Sequence, residues 1–184
     1  MEIILFSGKA ESGKTLAAKI TKERLEAKGY KVVKLSYGDY VKQTAKMLFE
    51  WDGQKDEAGR ALLQWWGIDF VRDIEPDFWV DTIIRLCDVI RNMYNFVIID
   101  DARYENEIDR WMDYDYCATA VRVERPSHEN ILSSVQREHI SETSLDNYPF
   151  NVRLIANDSA ELEKQVNDVL INKIIFASAE DKQA

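Results

Sequence analysis

Gly8-Lys9-Ala10-Glu11-Ser12-Gly13-Lys14-Thr15 has the spacing G-x-x-x-x-G-K-[ST], a pattern suited to holding phosphate. Backbone N–H groups of such a loop converge on phosphate oxygens, and a helix that starts inside it adds partial positive charge. Gly8, Lys9, Ser12, Gly13, Lys14 and Thr15 are therefore expected to bind ATP. Lys14 would reach the β- and γ-phosphates, and the Thr15 hydroxyl would hold Mg²⁺. An ordinary glycine-rich turn is the plain alternative. The flanks oppose it: Ile3-Ile4-Leu5-Phe6 reads as a buried strand, and Leu16 opens a helical pattern.

A second group of charges could complete a transfer site. Asp100 and Asp101 follow the apolar run Phe96-Val97-Ile98-Ile99, where a strand-end carboxylate orders water around Mg²⁺ near Thr15. At least one of them is expected to serve the metal. Alternation sends neighbouring side chains to opposite faces and does not say which one. Arg103 comes next, with Glu105 and Glu107 close by, and its planar fork suits two oxygens of an acceptor phosphate.

Farther out, Arg60, Gln64 and Arg72 offer contacts to a phosphate or a base edge. Trp65, Trp66 or Trp79 could stack on a nucleobase, although tryptophans at near-helical spacing also read as core. Arg122, Arg125, Arg137 and His139 flank or occupy a polar stretch over 125–149. Arg125 and Arg137 are the expected contacts of a mobile cationic lid over the migrating phosphoryl group. His139-Ile140-Ser141-Glu142 is compact, but groups this near in sequence rarely form a hydrolytic triad.

These residues need a frame to hold them. Residues 16–28 carry helix formers with Leu16, Ile20 and Leu25 near helical spacing, and Gly29 is a helix stop. Runs at 31–36, 96–99, 119–124 and 151–156 read as further strands, and 160–175 as a closing helix before a polar tail over 178–184. Strands alternating with helices predict right-handed crossovers and a parallel sheet covered on both faces. The expected fold is α/β, a three-layer P-loop NTPase with a central parallel sheet of five strands in a single domain over 1–184. Two segments interrupt that rhythm: a tryptophan-rich helical insertion at 38–91, suited to an acceptor, and the lid-like insertion at 125–149. Insertions at the carboxyl ends of such strands lie where ligands bind.

Composition limits the alternatives. The 184 residues are 46% hydrophobic and 31% charged, as in a soluble globular protein, and no run reaches the length of a membrane span. The first strand starts almost at Met1, which leaves no room for a signal peptide and predicts a cytosolic protein. Cys87 and Cys117 suggest neither a disulfide framework nor a zinc site. A net charge of −9 argues against a surface for polymeric nucleic acid and leaves a small phosphorylated ligand open.

The same residues carry a family resemblance. The loop at 8–15, then Ser36-Tyr37-Gly38-Asp39-Tyr40-Val41-Lys42, resembles the start of phage-type deoxynucleoside monophosphate kinases, although Ser36-Tyr37-Gly38 departs from their Phe-Ala-containing version. Ala61-Leu62-Leu63-Gln64-Trp65-Trp66-Gly67, Arg72 and Pro76-Asp77-Phe78-Trp79-Val80-Asp81 are similar to their acceptor segment. Ile99-Asp100-Asp101-Ala102-Arg103-Tyr104-Glu105-Asn106-Glu107 is similar to their strand-end motif, and 139–142 to a lid-side motif. The resemblance implies an enzyme that phosphorylates deoxynucleoside 5′-monophosphates with ATP and Mg²⁺, as a homodimer, in a bacterial host's cytoplasm if phage-encoded. It implies acceptor contacts from Asp39, Lys42, Arg60, Gln64, Trp65, Arg72, Trp79, Arg103 and Glu107. Catalytic contacts would come from Lys14, Arg103, Arg125 and Arg137, and metal contacts from Thr15, Asp100 and Asp101. Rival readings are a P-loop kinase for dephospho-coenzyme A or a sugar acid, and an ATP-binding regulatory protein that transfers nothing.

Overall fold

The five apolar runs all enter one sheet. The protein is described by a computed structural model over residues 1–114, 116–127 and 140–174. Strands β1 (Glu2–Ser7), β2 (Val32–Leu35), β3 (Phe96–Ala102), β4 (Ala118–Glu124) and β5 (Val152–Ile155) lie parallel in the order β2-β3-β1-β4-β5. Helix α1 (Lys14–Ala27) links β1 to β2. Between β2 and β3 come α2 (Tyr37–Phe49), α3 (Glu57–Gln64), a π-helical stretch (Trp65–Phe70), α4 (Val71–Ile74) and α5 (Phe78–Ile90). Helix α6 (Asn106–Asp113) precedes β4, and α7 (Ile140–Thr143) precedes β5. After β5, α8 (Ser159–Gln165) runs into a second π-helical stretch (Val166–Ile171). Parallel pairing places every strand's carboxyl end on one edge. Because β3 and β4 flank β1 on opposite sides, a crevice opens there, beyond the end of β1.

The strands read as continuous apolar runs because helices cover both faces. On one face Ile4, Phe6, Ile98, Val121 and Leu154 pack against Ala17 and Leu25 of α1 and Leu162 of α8. On the other, Ile3, Leu5, Val97, Ile99 and Ala120 meet Ile83 and Ile84 of α5 and Ile108 and Trp111 of α6. Helix α1 stops through Gly29, whose N–H bonds to the Glu26 carbonyl at 2.9 Å while Tyr30 N–H reaches that of Leu25 at 3.2 Å.

Three features differ from the sequence reading. Strand β3 runs on to Ala102, so Asp100 and Asp101 lie within it and not beyond it. The helical insertion contains a π-helical turn that no periodicity signalled, and its tryptophans serve mainly as packing. Trp79 is buried with its indole N–H on the Gly67 carbonyl at 3.0 Å, and Trp66 donates to Thr44 Oγ1 at 2.8 Å. The closing helix begins at Ser159; its expected last residue, 175, and the tail at 178–184 lie outside the described residues. Among the described residues, no helix is long and apolar enough to cross a membrane.

One buried network ties the insertion to the sheet layer. The Tyr37 hydroxyl donates to the Glu107 carbonyl at 2.9 Å and accepts from Trp111 Nε1 at 3.0 Å. Burial, reinforced by nearby Glu107, holds that hydroxyl well above its ordinary pKa, so it stays a donor. Tyr37→Phe orphans the buried Trp111 indole N–H and is expected to lower stability by about 1–3 kcal/mol in urea unfolding. An unchanged urea midpoint would contradict this role.

Candidate active site

The phosphate loop sits between β1 and α1, in the crevice. A Cβ on Gly8 would stand 2.3 Å from Ser12 Oγ and 2.6 Å from the Val123 carbonyl oxygen, so only glycine fits. Glu11 and Gly13 take left-handed φ values of 58° and 94°, which turn the loop's N–H groups toward a common centre. The N-cap residue of α1, Gly13, offers no capping side chain, and the first turn holds no acid. Elsewhere Asp56 accepts from Gly59 N–H at 2.7 Å and Asp158 from Glu161 N–H at 2.9 Å. The start of α1 thus presents its partial positive charge to whatever fills the loop. Lys14 Nζ lies over that loop, 3.2 Å from the Lys9 carbonyl oxygen.

At the end of β3, one extra residue enters the strand. Leu5 pairs with Ile99 and Ser7 with Ala102, so two steps on β1 face three on β3. The bulge returns Ala102 to the face of Ile99, and the two aspartates between them part by alternation. Asp100 keeps the face of Ile98 and α1, where Lys34 Nζ stands 2.8 Å from its Oδ2. Thr15 is the second residue of that same helix. Asp101 turns to α2: its Oδ1 accepts from Tyr37 N–H at 3.0 Å, and its Oδ2 from Ser36 Oγ at 2.7 Å and Gly38 N–H at 2.8 Å. Burial raises the Asp101 carboxyl above its usual range, against the downward pull of these donors.

Beside Asp101 opens a cavity of about 200 Å³ that brings together Lys42, Arg72, Trp79, Arg103 and Glu107, with apolar walls from Val41, Leu63 and Ile68. Glu107 organises it. Its carboxylate pairs with Arg72 and accepts from Arg103 N–H at 2.7 Å and Tyr104 N–H at 3.2 Å. Burial raises its carboxyl and the Arg72 charge opposes that shift. Arg72 also lies 4.1 Å from the Tyr104 ring centre, so its guanidinium is held on two sides. Arg103 Nη1 reaches the Ser141 carbonyl in α7 at 3.4 Å.

Other expected acceptor residues lie apart. Arg60 and Gln64 line a separate cleft with Lys55 and Glu57. Asp39 pairs with Lys42 at 2.7 Å, and Trp65 is exposed against Phe49 and Phe70.

On the β4 side, Arg125 Nε donates to the Asn157 carbonyl at 3.0 Å and borders two cavities beside the loop, of about 360 and 330 Å³, that Arg103 does not line. Arg137 and His139 lie outside the described residues. Lys34 and Asp146 went unmarked by the sequence, and Arg122 stood only at the edge of the polar stretch. A signal existed for two of them: Lys34 sits between Val33 and Leu35, and Arg122 between Val121 and Val123. A charge inside an apolar strand needs a partner. Asp146 has no such local mark.

A family model described as deoxynucleotide monophosphate kinase matches residues 33–168. No curated protein matches the sequence. Among solved structures, the Mycobacterium tuberculosis APS kinase CysC in complex with AMPPNP and APS is 15% identical, with a TM-score of 0.51, covering 92% of this chain and 95% of that one. A sugar kinase from Janibacter sp. HTCC2649, unliganded, is 12% identical with a TM-score of 0.51, covering 92% and 94%. At such identities the likeness shows a shared fold.

Glu107→Ala would leave Arg72 unpaired in a buried wall, with two N–H groups orphaned. It is expected to cost about 3–5 kcal/mol by chemical denaturation. The exposed neighbour change Glu105→Ala should stay within about 0.5 kcal/mol. Equal effects from the two would contradict the organising role of Glu107.

Proposed function

The chain belongs to the deoxynucleotide monophosphate kinase family, and on that premise we propose that it moves the γ-phosphoryl group of ATP onto the 5′-phosphate of a deoxynucleoside monophosphate. Family and fold make it a P-loop phosphotransferase of the kinase type. The acceptor class is our reading. One observation carries it: Arg72, paired with the buried Glu107 carboxylate, and Arg103, whose backbone N–H that carboxylate accepts, border an apolar cavity on the same sheet edge as the phosphate loop. Paired guanidinium groups suit an acceptor phosphate, and the apolar walls suit a planar base.

In the transfer, an oxygen of the acceptor phosphate attacks the γ-phosphorus. The bond from that phosphorus to the β–γ bridging oxygen breaks, and ADP leaves with the electron pair. The acceptor phosphate is already ionised near neutral pH, so positioning and charge neutralisation carry the catalysis. Loop N–H groups and Lys14 hold the donor phosphates. Arg103 and Arg72 hold the acceptor, with Lys42 at the rim and Trp79 in the wall. The insertion at 38–91 serves as the acceptor region, and Arg125 and the rest of 125–149 as the lid side.

Mg²⁺ takes few protein ligands and keeps several waters when it arrives on a nucleotide. A hydroxyl at Thr15 and a carboxylate at Asp100, both on the α1 side of the sheet, fit such an ion. Asp101 fits less well, since both its oxygens serve the start of α2. When bound, the ion neutralises charge on the β- and γ-phosphates.

A homodimer would bury the exposed apolar cluster of Phe49, Trp65 and Phe70, with Met47 and Leu48 beside it. Equilibrium sedimentation is expected to return twice the chain mass; a single chain mass contradicts the dimer.

A coupled assay of ADP release tests the main proposal across deoxynucleoside monophosphates, ribonucleoside monophosphates, dephospho-coenzyme A and sugar acids. At least one deoxynucleotide is expected to give the fastest release, and preference for a non-nucleotide acceptor would overturn the reading. ATP binding without acceptor-dependent ADP would mark a regulatory protein. Lys14→Ala is expected to lower turnover about 10²–10³-fold with an unchanged thermal midpoint.

A further inference from the structure

We propose that Asp146 stands in for a phosphate: its carboxylate occupies a cationic cradle formed by Lys9 and Arg122 beside the loop, and a bound polyphosphate displaces it. This rests on the reading that the loop binds a polyphosphate donor, and not on the identity of the acceptor.

Arg122 is the key to the geometry. It lies in β4 opposite Ser7, the last residue of β1, and is only 6% exposed. Its Nη1 is 3.2 Å from Ser7 Oγ, and its guanidinium lies 5.6 Å from the Phe150 ring centre. A charge so withdrawn from water needs an anionic partner. Glu124 is a poor one, 3.9 Å from Arg122 Nε and itself bound to Arg153 at 2.7 Å. The close partner comes from far along the chain: Asp146 Oδ1 accepts from Arg122 Nη2 at 2.9 Å.

The other oxygen of the same carboxylate, Oδ2, accepts from Lys9 Nζ at 3.0 Å. Lys9 is the second residue of the phosphate loop. One anionic group thus joins a loop lysine to a buried arginine through both its oxygens, as a phosphate group would. These three residues border the cavity of about 360 Å³, together with Ser12. The Ser12 hydroxyl is buried there without a hydrogen-bond partner among the described residues. Two cations and a hydroxyl donor make a set that recognises an anion, and a half-exposed aspartate satisfies only part of it.

A polyphosphate in the loop competes for Lys9 and Arg122. Its apparent affinity is reduced by the fraction of molecules in which Asp146 holds them. A plain structural tie would behave differently, leaving Asp146 on Lys9 and Arg122 beside the bound polyphosphate.

Asp146→Asn in the full chain tests the stand-in first, with inorganic tripolyphosphate as the probe in isothermal titration calorimetry. The stand-in predicts binding about tenfold tighter than wild type, and a larger rise in thermal midpoint at saturating tripolyphosphate. Equal or weaker binding overturns it. A crystal structure of the wild-type protein with tripolyphosphate separates the two, and decides alone should the variant fail to fold. Lys9 and Arg122 are expected on phosphate oxygens with Asp146 beyond hydrogen-bonding distance; an intact Lys9–Asp146 pair beside bound tripolyphosphate overturns the proposal. Tripolyphosphate reports on the donor loop alone, so either failure leaves the acceptor reading to the ADP-release assay.

Discussion

The carboxyl end of β3, where an extra residue enters between Ile99 and Ala102, sets the geometry on both sides of the sheet edge. Without it, the strand would carry its alternation unbroken to Arg103, and Ala102 would not sit opposite Ser7 on the α5–α6 face. With it, Ala102 shares that face with Ile99, while plain alternation sets Asp100 toward α1 beside Lys34 and Asp101 toward the start of α2, which it fastens. The helical insertion therefore begins at a fixed place and angle. Arg103 leaves the strand where Glu107 can take its backbone N–H. One strand end thus orients a candidate metal ligand, a helix cap and the acceptor wall together.

A second constraint is the handling of buried charge. Arg72, Glu107, Arg122 and Asp100 are all withdrawn from water, and each has an opposite charge close by. Such pairs add little net stability, but removing one partner is costly. In this protein they hold side chains stiffly around cavities, which is what transfer between two anionic groups requires. The Lys9–Asp146–Arg122 arrangement differs in being half open to solvent and in engaging the loop itself.

Much of this was legible in the sequence because it depends on local physics. The G-x-x-x-x-G-K-[ST] spacing, the continuous apolar strands and the Gly29 stop each report a backbone requirement within a few residues. The β3 bulge was not legible, since an extra residue shows only against its neighbour strand. The π-helical turn at Trp65–Phe70 was hidden for the same reason: its widening answers the packing of Trp66 and Trp79. Tryptophan type alone could not separate Trp79, in the cavity wall, from Trp65, in an exposed aromatic cluster. Asp146 lies far from Lys9 in sequence, and only the fold brings them together.

A phosphoryl group must pass between the loop and the Arg72–Arg103 wall if these parts form one site. Phosphorus NMR follows that passage directly, with the protein, ATP, Mg²⁺ and an equal mixture of the four common deoxynucleoside monophosphates. New resonances of a deoxynucleoside diphosphate, growing in step with those of ADP, are the result expected. ATP turning only into ADP and inorganic phosphate, or not changing at all, would contradict it.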